Sequence, residues 1–306
     1  MQEFLKETDE ELRRLNNGSY LKNYHLYPGI DLSYVFLRAE RFFAKHGAFK
    51  NILEISYCKS GRAGRKTADG NAFYLGPGDY SVHTTDTCAD SVITLPNGEY
   101  EGVIIFIDFD ELSENNVEIF KSAKLTLSAL YDKFCLGENG YSFAGNIQSE
   151  SVFSGFYNEY NLFDSVYKRI KLAELVVYLI NKEIGGNSLS LYRCEQVEAV
   201  RKVHALLMEN MQCRFTIESL ARDYLINPTT LKSVFKAVYG NSIAAHIREH
   251  RMQAAAQQLL TTQDSIADIA KAVGYENQSK FSTAFKDYHQ MLPTQYRKQH
   301  RTGNIS

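Results

Sequence analysis

The 306-residue sequence lacks several features that would place it in a specialised class of protein. Its five cysteines are an odd number, widely scattered and without a C-x-x-C pair, so neither a disulfide framework nor a cysteine-based zinc site is expected. No apolar run approaches the ~18 residues that a membrane-spanning helix needs. The first residues alternate charged and apolar side chains and lack the apolar core of a signal peptide. These absences predict a cytoplasmic protein without a membrane partner.

Motifs that mark common enzyme classes are also missing. The sequence has no G-x-S-x-G nucleophile motif and no H-E-x-x-H zinc motif. The segment GRAGRKT at 61–67 has Arg65 where a phosphate-binding loop requires glycine. A metal-binding barrel enzyme needs closely spaced histidines, whereas His25, His46 and His83 lie far apart in the strand-rich region. We therefore expect no catalytic residue, no metal site and no cofactor.

Length and charge distribution indicate two domains. A chain of 306 residues is too long for one typical core. Residues 196–301 hold 14 Lys and Arg against 9 Asp and Glu, whereas the remainder holds 20 against 27. A basic C-terminal part beside an acidic N-terminal part fits phosphate contact by the former. The excess is modest, so it supports nucleic-acid binding without establishing it.

The pattern of residue types changes along the chain. From about 20 to 110, β-branched and aromatic runs alternate with Gly, Asp and Asn, which predicts an antiparallel barrel or jelly roll. From about 111 to 186 the apolar spacing becomes helical. We assign residues 1–186 to the first domain, 187–194 to a linker and 195–306 to the second domain.

One pattern occurs twice in the second domain. Ile217, Leu220 and Ala221 recur 49 residues later, and Leu231, Val234 and Phe235 recur 50 residues later; the second copies are Ile266, Ile269, Ala270, Phe281, Ala284 and Phe285. Each copy predicts a short helix, a tight turn and a second helix with an apolar stripe. This is the pattern of a helix-turn-helix, whose second helix enters the DNA major groove. The two units cover about 216–238 and 265–288.

These blocks, from about residue 198 to PTQYR near 300, resemble the AraC/XylS family of bacterial transcription regulators. Two departures are Leu225 and Gln290, which stand where the family often has glycine. The resemblance implies effector-dependent activation of nearby genes, binding to double-stranded promoter DNA, contact with RNA polymerase and, often, a homodimer. The GPGD turn at 76–79 resembles, more loosely, the small cupin barrel that is common as the sensory half of such regulators.

The second helix of each unit carries hydroxyls and lysines opposite its apolar stripe. Short hydroxyls allow close approach to base edges, and lysines anchor on phosphate. The predicted DNA-contacting residues are Thr229, Thr230, Lys232, Ser233 and Lys236 in the first helix, and Gln278, Ser279, Lys280, Thr283 and Lys286 in the second. A plain solvated face is the alternative for any one residue. For the two faces together we prefer DNA contact, because the resemblance places the family's base-reading positions there.

Aromatic residues concentrate in the first domain, where tyrosines could line a pocket for a small-molecule effector. Tyr57, Arg62, Tyr80 and His83 are the candidate ligand-binding residues. The alternative is that Tyr and Phe only fill the core. The amphipathic helix around 168–184 is interpreted either as a dimerisation element or as part of that core.

The sequence thus predicts an α+β chain of two domains: an N-terminal cupin-like antiparallel β-barrel with flanking helices, and a C-terminal all-α domain with tandem helix-turn-helix units. The predicted function is a sequence-specific DNA-binding transcription activator that senses a small molecule. Two alternatives stay open. One is a cupin-type enzyme with an accessory DNA-binding domain, and the other is a regulator whose N-terminal domain binds a protein partner.

Overall fold

The computed structural model describes residues 2–44, 48–67, 69–87, 91–114, 127–137, 140–158, 164–185 and 188–301. The chain divides into two compact units, Met1–Cys194 and Glu195–Ser306. Among the described helices, none is long and apolar enough to cross a membrane. His46 lies outside the described residues.

Unit 1 begins with a helix and continues through short strands. The elements are α1 (Gln2–Leu15), β1 (Tyr20–Tyr27), β2 (Ile30–Arg38), β3 (Arg41–Ala44), β4 (Ile52–Gly61), β5 (Ala63–Lys66), β6 (Asn71–Leu75), β7 (Tyr80–Thr84), β8 (Ser91–Thr94), β9 (Glu99–Asp108), α2 (Phe109–Glu114), α3 (Leu127–Phe134), β10 (Tyr141–Phe143), α4 (Ile147–Ser154), α5 (Asp164–Asn181) and β11 (Tyr192–Arg193). Short 3₁₀ turns cover Thr85–Thr87 and Gly155–Tyr157.

These strands form two antiparallel sheets. One has six strands in the order β1-β2-β9-β4-β7-β10, and the other has five in the order β11-β6-β5-β8-β3. The strands that the structure describes do not join into a single closed barrel. The strand-rich character predicted for about 20–110 is therefore observed, whereas closure of a barrel is not.

The six-stranded sheet is covered on both faces because its side chains alternate. On β4, Leu53, Ile55 and Tyr57 belong to a core shared with α3, α4 and α5. Ile52 and Cys58 of the same strand, whose side chains point to the opposite face, belong to a second core, which contains residues of the five-stranded sheet and of α1. The period of two along each strand thus separates the layers of unit 1.

Helix α5 contains most of the predicted 168–184 helix, and it contributes directly to the core. Leu172, Leu175 and Val176 are fully buried. Val166 and Ile170 on the same helix are about half exposed, at 50% and 53%. The structure therefore shows this helix as part of the core. Dimerisation through its exposed side stays a proposal.

The segment predicted as a linker runs along the edges of both sheets. The backbone N–H of Leu189 donates to the carbonyl of Ser142 at 2.9 Å. Tyr192 and Arg193 pair with β6, and the following helix begins at Cys194. The segment is held in this way because edge strands offer backbone groups that have no partner within their own sheet.

Unit 2 is helical and contains the repeat. Its elements are α6 (Cys194–Glu209), α7 (Ile217–Asp223), α8 (Pro228–Tyr239), α9 (Ile243–Thr261), α10 (Ile266–Ala272), α11 (Gln278–His289) and α12 (Pro293–Arg301). The pairs α7–α8 and α10–α11 are the two helix-turn-helix units, and α9 lies between them in the chain. Phe235 is fully buried in the first pair and Phe285 in the second, at equivalent positions 50 residues apart.

Candidate nucleic-acid interface

The second helix of each helix-turn-helix unit, α8 or α11, begins with the same capping arrangement. The side chain of Asn227 accepts from the backbone N–H of Thr229 at 2.8 Å, and Pro228 occupies the first turn of α8. The side chain of Asn277 accepts from Ser279 at 2.7 Å, at the start of α11. Asparagine is a favourable cap because its oxygen satisfies an N–H that has no partner within the helix. These caps fix where each outward face begins.

The two turns share one backbone geometry with different residues. In the first, the N–H of Ile226 donates to the carbonyl of Ala221 at 3.0 Å; in the second, Tyr275 donates to Ala270 at 2.8 Å. The left-handed position is Leu225 in the first turn, with φ of 53°, and Gly274 in the second, with φ of 85°. Leu225 is 95% exposed. The first turn therefore has the same left-handed geometry as the second, with a residue that this conformation disfavours.

The second departure from glycine, Gln290, also adopts the left-handed conformation, and it does so at the end of a helix. Gln290 terminates α11 with φ of 60°, and its N–H donates to the carbonyl of Lys286. Gly240 terminates α8 at the equivalent place with φ of 87°. Each unit thus has one glycine and one larger residue at its two left-handed positions.

The predicted DNA-contacting residues lie on the outer faces of α8 and α11. Nine of the ten are exposed and Thr230 is half-buried. No described carboxylate pairs with Lys232, Lys236, Lys280 or Lys286, so their ammonium groups are available to phosphates. Tyr288 on α11 is 41% exposed, and its hydroxyl lies 3.4 Å from a carboxylate oxygen of Glu249.

One basic residue on this surface was missed by the sequence analysis. A groove of about 400 Å³ follows α11, and Arg248 of α9 lines it together with Ser279, Lys280, Thr283 and others. Arg248 is exposed. The sequence shows an arginine on a long helix, but only the packing of α9 against α11 places it beside the second outer face.

A second feature that the sequence analysis missed lies inside unit 2. His204 of α6 and His246 and His250 of α9 bring their ring nitrogens together. The ring of His204 stacks on Tyr239 of α8, with centroids 4.2 Å apart. Burial, together with the neighbouring His250, lowers the pKa of His204 to about 4 and that of His246 to about 3. The spacing His-x-x-x-His on α9 was the available signal, since residues four apart share a helix face.

The four residues predicted to form a ligand pocket in unit 1 do not share one. Tyr57 stacks on Phe153 with centroids 4.5 Å apart, and the hydroxyls of Tyr80 and Tyr178 lie 2.8 Å apart in the helix-covered core. His83 points to the opposite face of the sheet, because it is three residues from Tyr80 and side chains alternate along a strand. Arg62, in the connection from β4 to β5, packs against Gly76.

His83 instead joins a buried ionic cluster with Glu54 and Arg65. Arg65 donates to the Glu54 carboxylate at 2.6 Å and to Nε2 of His83 at 2.9 Å. Burial acts to raise the pKa of Glu54, but Arg65 and His83 outweigh it and hold the pKa well below its usual value. Glu54 is therefore ionised and paired, as a buried charge must be.

The ionic cluster borders a small apolar cavity beneath α1. The cavity measures about 60 Å³ and is lined by Glu54 and Arg65, by Leu5 and Leu12 of α1, and by apolar residues of both sheets. Pockets for drug-sized ligands usually measure ~300–1,000 Å³. In this conformation the cavity is too small for a drug-sized ligand.

Comparison with known proteins adds to this geometry. Residues 220–299 match the family described as "Helix-turn-helix domain". The chain is 31% identical over 135 residues to the virulence regulon transcriptional activator VirF of Yersinia enterocolitica, covering 44% of this chain and 50% of VirF. It is 34% identical over 85 residues to the HTH-type transcriptional regulator AlkR of Acinetobacter baylyi, covering 28% of each.

Among solved structures, the C-terminal domain of the two-component response regulator yesN from Fusobacterium nucleatum is 31% identical. That similarity covers 33% of this chain and 98% of the other, with a TM-score of 0.31. The chain spans about half the length, or less, of the curated relatives that it matches.

Proposed function

We propose, from the membership of its helix-turn-helix region in the AraC/XylS family, that the chain is a DNA-binding transcription regulator rather than an enzyme. The observation that carries the proposal is the repeated pair α7–α8 and α10–α11, whose second helices have the same caps and the same outward chemistry. A plain solvated face would not require this agreement at two places 50 residues apart.

In this proposal α8 and α11 each enter a major groove. Successive grooves on one side of the duplex are ~34 Å apart, so two reading helices extend the contacted site beyond one helical turn. The proposed base-contacting residues are Thr229 and Ser233 on α8, and Ser279 and Thr283 on α11. Lys236 and Lys286 contact phosphate, and Arg248 adds a third cationic contact beside α11.

The experiment is a salt titration of DNA binding by the full chain. The probe is double-stranded DNA from upstream of its own gene and the neighbouring genes, followed by gel shift. Lys236→Gln and Lys286→Gln should each reduce the slope of log K against log salt by about one, since each phosphate contact releases about one counterion. Lys50→Gln, an exposed lysine in unit 1, is the matched control and should leave the slope unchanged. Absence of any shifted band at low salt would refute the assignment.

Unit 1 is proposed as the sensory half. Its two antiparallel sheets and covering helix support a cupin-like assignment, and the cavity beside Glu54 and Arg65 is the proposed effector site. The effector regulates only if it prefers one state of α1, because equal affinity for both states shifts nothing. Activation through RNA polymerase, and dimerisation through the exposed side of α5, belong to the same proposal.

A thermal-shift screen of small apolar acids and alcohols tests the sensory proposal. Compounds that raise the thermal midpoint of the wild-type protein should not raise that of Ala63→Leu, because the larger side chain fills the cavity. The DNA affinity of this variant should equal that of the wild type. The small cavity favours one second candidate, in which unit 1 binds a protein partner. A screen without stabilising compounds, together with capture of a partner protein by the isolated chain, would support that candidate instead.

A further inference from the structure

Three histidine side chains converge at one point in unit 2. Nε2 of His246 lies 3.0 Å from Nε2 of His204 and 3.1 Å from Nε2 of His250. The candidate ligating atoms of all three rings lie within 4.8 Å of one another. His246 is 6% exposed, whereas His204 and His250 are half-buried. The rings therefore meet at a point that is mostly enclosed but still reached from solvent.

The spacing of these nitrogens is close to that of a tetrahedral zinc centre. Zinc binds histidine nitrogen at ~2.0–2.1 Å, so two ligands of a tetrahedral ion lie ~3.3 Å apart. The two observed separations of 3.0 and 3.1 Å differ from that value by a few tenths of an ångström. The third pair, His204 and His250, has its nitrogens within 4.8 Å, so these two rings need to rotate toward a shared ion to complete the arrangement.

The surroundings orient the rings toward a common centre. His204 lies parallel to Tyr239, at an interplanar angle of 14°. The ring of His246 meets the ring of Phe235 edge to face, with centroids 5.5 Å apart. Aromatic contacts of this kind hold each imidazole plane in place. Preorganised rings lower the entropy lost when an ion binds.

We propose that His204, His246 and His250 form a transition-metal site that takes Zn²⁺, with the fourth position left to water. Three neutral imidazoles suit borderline cations such as zinc, and carboxylate-preferring Mg²⁺ and Ca²⁺ are disfavoured. The site lies on α6 and α9 and contacts α8 through Tyr239 and Phe235. A bound ion would therefore tie α6 to α9 beneath the first proposed recognition helix.

The first experiment measures zinc binding by the full chain after chelator treatment and dialysis. Titration with ZnCl₂ should show one site per chain that is lost in both His204→Gln and His250→Gln. His289→Gln is the matched control, because His289 is a half-buried histidine of α11 whose ring contacts Phe285, with centroids 4.3 Å apart, outside the cluster. Equal zinc binding by the wild type and both cluster variants, or no binding at micromolar zinc, would overturn the proposal.

Cobalt substitution tests the ligands without any variant, so it remains informative if a substitution impairs folding. Co²⁺ in the unmodified chain should give the intense visible bands of a tetrahedral nitrogen site. Bands from thiolate-to-cobalt charge transfer would show that a cysteine holds the metal, and would contradict the proposed site.

A stability measurement provides the third readout. An ion that binds only the folded state raises the folding equilibrium constant about 100-fold when its free concentration is 100 times Kd. The thermal midpoint of unit 2 should therefore rise with zinc in the wild type and in His289→Gln, and stay unchanged in His250→Gln. None of these readouts uses DNA, so they stand or fall separately from the proposed regulatory function.

Discussion

Replacing Gly274 by alanine tests whether the two turns differ as their side-chain surroundings indicate. Gly274 has φ of 85°, a conformation that residues with a Cβ rarely adopt. A Cβ at this position would lie 2.8 Å from Nη2 of Arg251 and 3.0 Å from Cα of Gln212. Leu225, at the equivalent position, is 95% exposed. The two turns therefore tolerate a side chain to very different degrees.

The cost at Gly274 has two parts. Holding an alanine in the left-handed region costs about 1–2 kcal/mol. Displacing the Arg251 guanidinium weakens its hydrogen bond to the Cys213 carbonyl, at 3.1 Å, and a bond of this charged type contributes about 1.5–3 kcal/mol. Alanine also restricts the unfolded chain, and this effect offsets about 0.4–1 kcal/mol of the destabilisation. The net destabilisation of unit 2 should be about 1.5–4.5 kcal/mol.

The matched variant is Leu225→Ala, which keeps the left-handed conformation and removes only exposed apolar atoms. Its free energy of unfolding should stay within about 0.5 kcal/mol of wild type. Both variants are compared by urea unfolding of the full chain, followed by circular dichroism at a helix-sensitive wavelength. A Gly274→Ala midpoint equal to that of wild type would refute the crowding argument. A loss above about 1 kcal/mol in Leu225→Ala would mean that Leu225 makes contacts its exposure does not indicate.

Four further predictions concern the first turn, the DNA-facing hydroxyls and the buried carboxylate of Glu54. Leu225→Gly should stabilise unit 2 by up to about 1 kcal/mol in the same urea assay, because relief of left-handed strain exceeds the added freedom of the unfolded chain. Thr229→Ala with Ser233→Ala should relax sequence preference in one half of the DNA site, and Ser279→Ala with Thr283→Ala in the other, at about 1–3 kcal/mol per lost base contact; a footprint that protects a single major groove would exclude reading by both helices. Glu54→Gln should destabilise unit 1 by about 3–5 kcal/mol, since the buried guanidinium of Arg65 then faces a neutral amide instead of a carboxylate. In the wild type the same carboxylate should stabilise unit 1 above its unfolded pKa of about 4.3, and this contribution should disappear as the pH falls towards the lowered folded pKa, which acid titration of the urea midpoint measures.

The helical repeat could be predicted because its signals are local. The apolar stripe with Leu231, Val234 and Phe235 follows the helical period, and Asn227 with Pro228 marks the helix start within the sequence itself. Residues 220–299 match the helix-turn-helix family, which confirms this prediction. Leu225, which stands where the family often has glycine, adopts the left-handed conformation with φ of 53°.

The candidate ligand-binding residues of unit 1 are separated in the structure, and only part of that separation could be predicted from the sequence. Tyr80 and His83 are an odd number of residues apart in one strand, so alternation alone already placed them on opposite faces. The ionic cluster of Glu54, Arg65 and His83, in contrast, joins three strands from both sheets. Its assembly depends on strand register and sheet packing, neither of which is written in any local pattern.

Only part of the histidine cluster could be predicted from the sequence. His246 and His250 are four residues apart on α9, which by itself brings two imidazoles to one helix face. The third ring belongs to His204 on α6, which lies 42 residues before His246 in the chain. It meets the other two rings because α6 and α9 both pack against α8. Two histidines at this spacing are common on ordinary helices, so the pair alone predicts little. Packing of α6 adds the third nitrogen at 3.0 Å, and that contact is what distinguishes a metal centre from two neighbouring side chains.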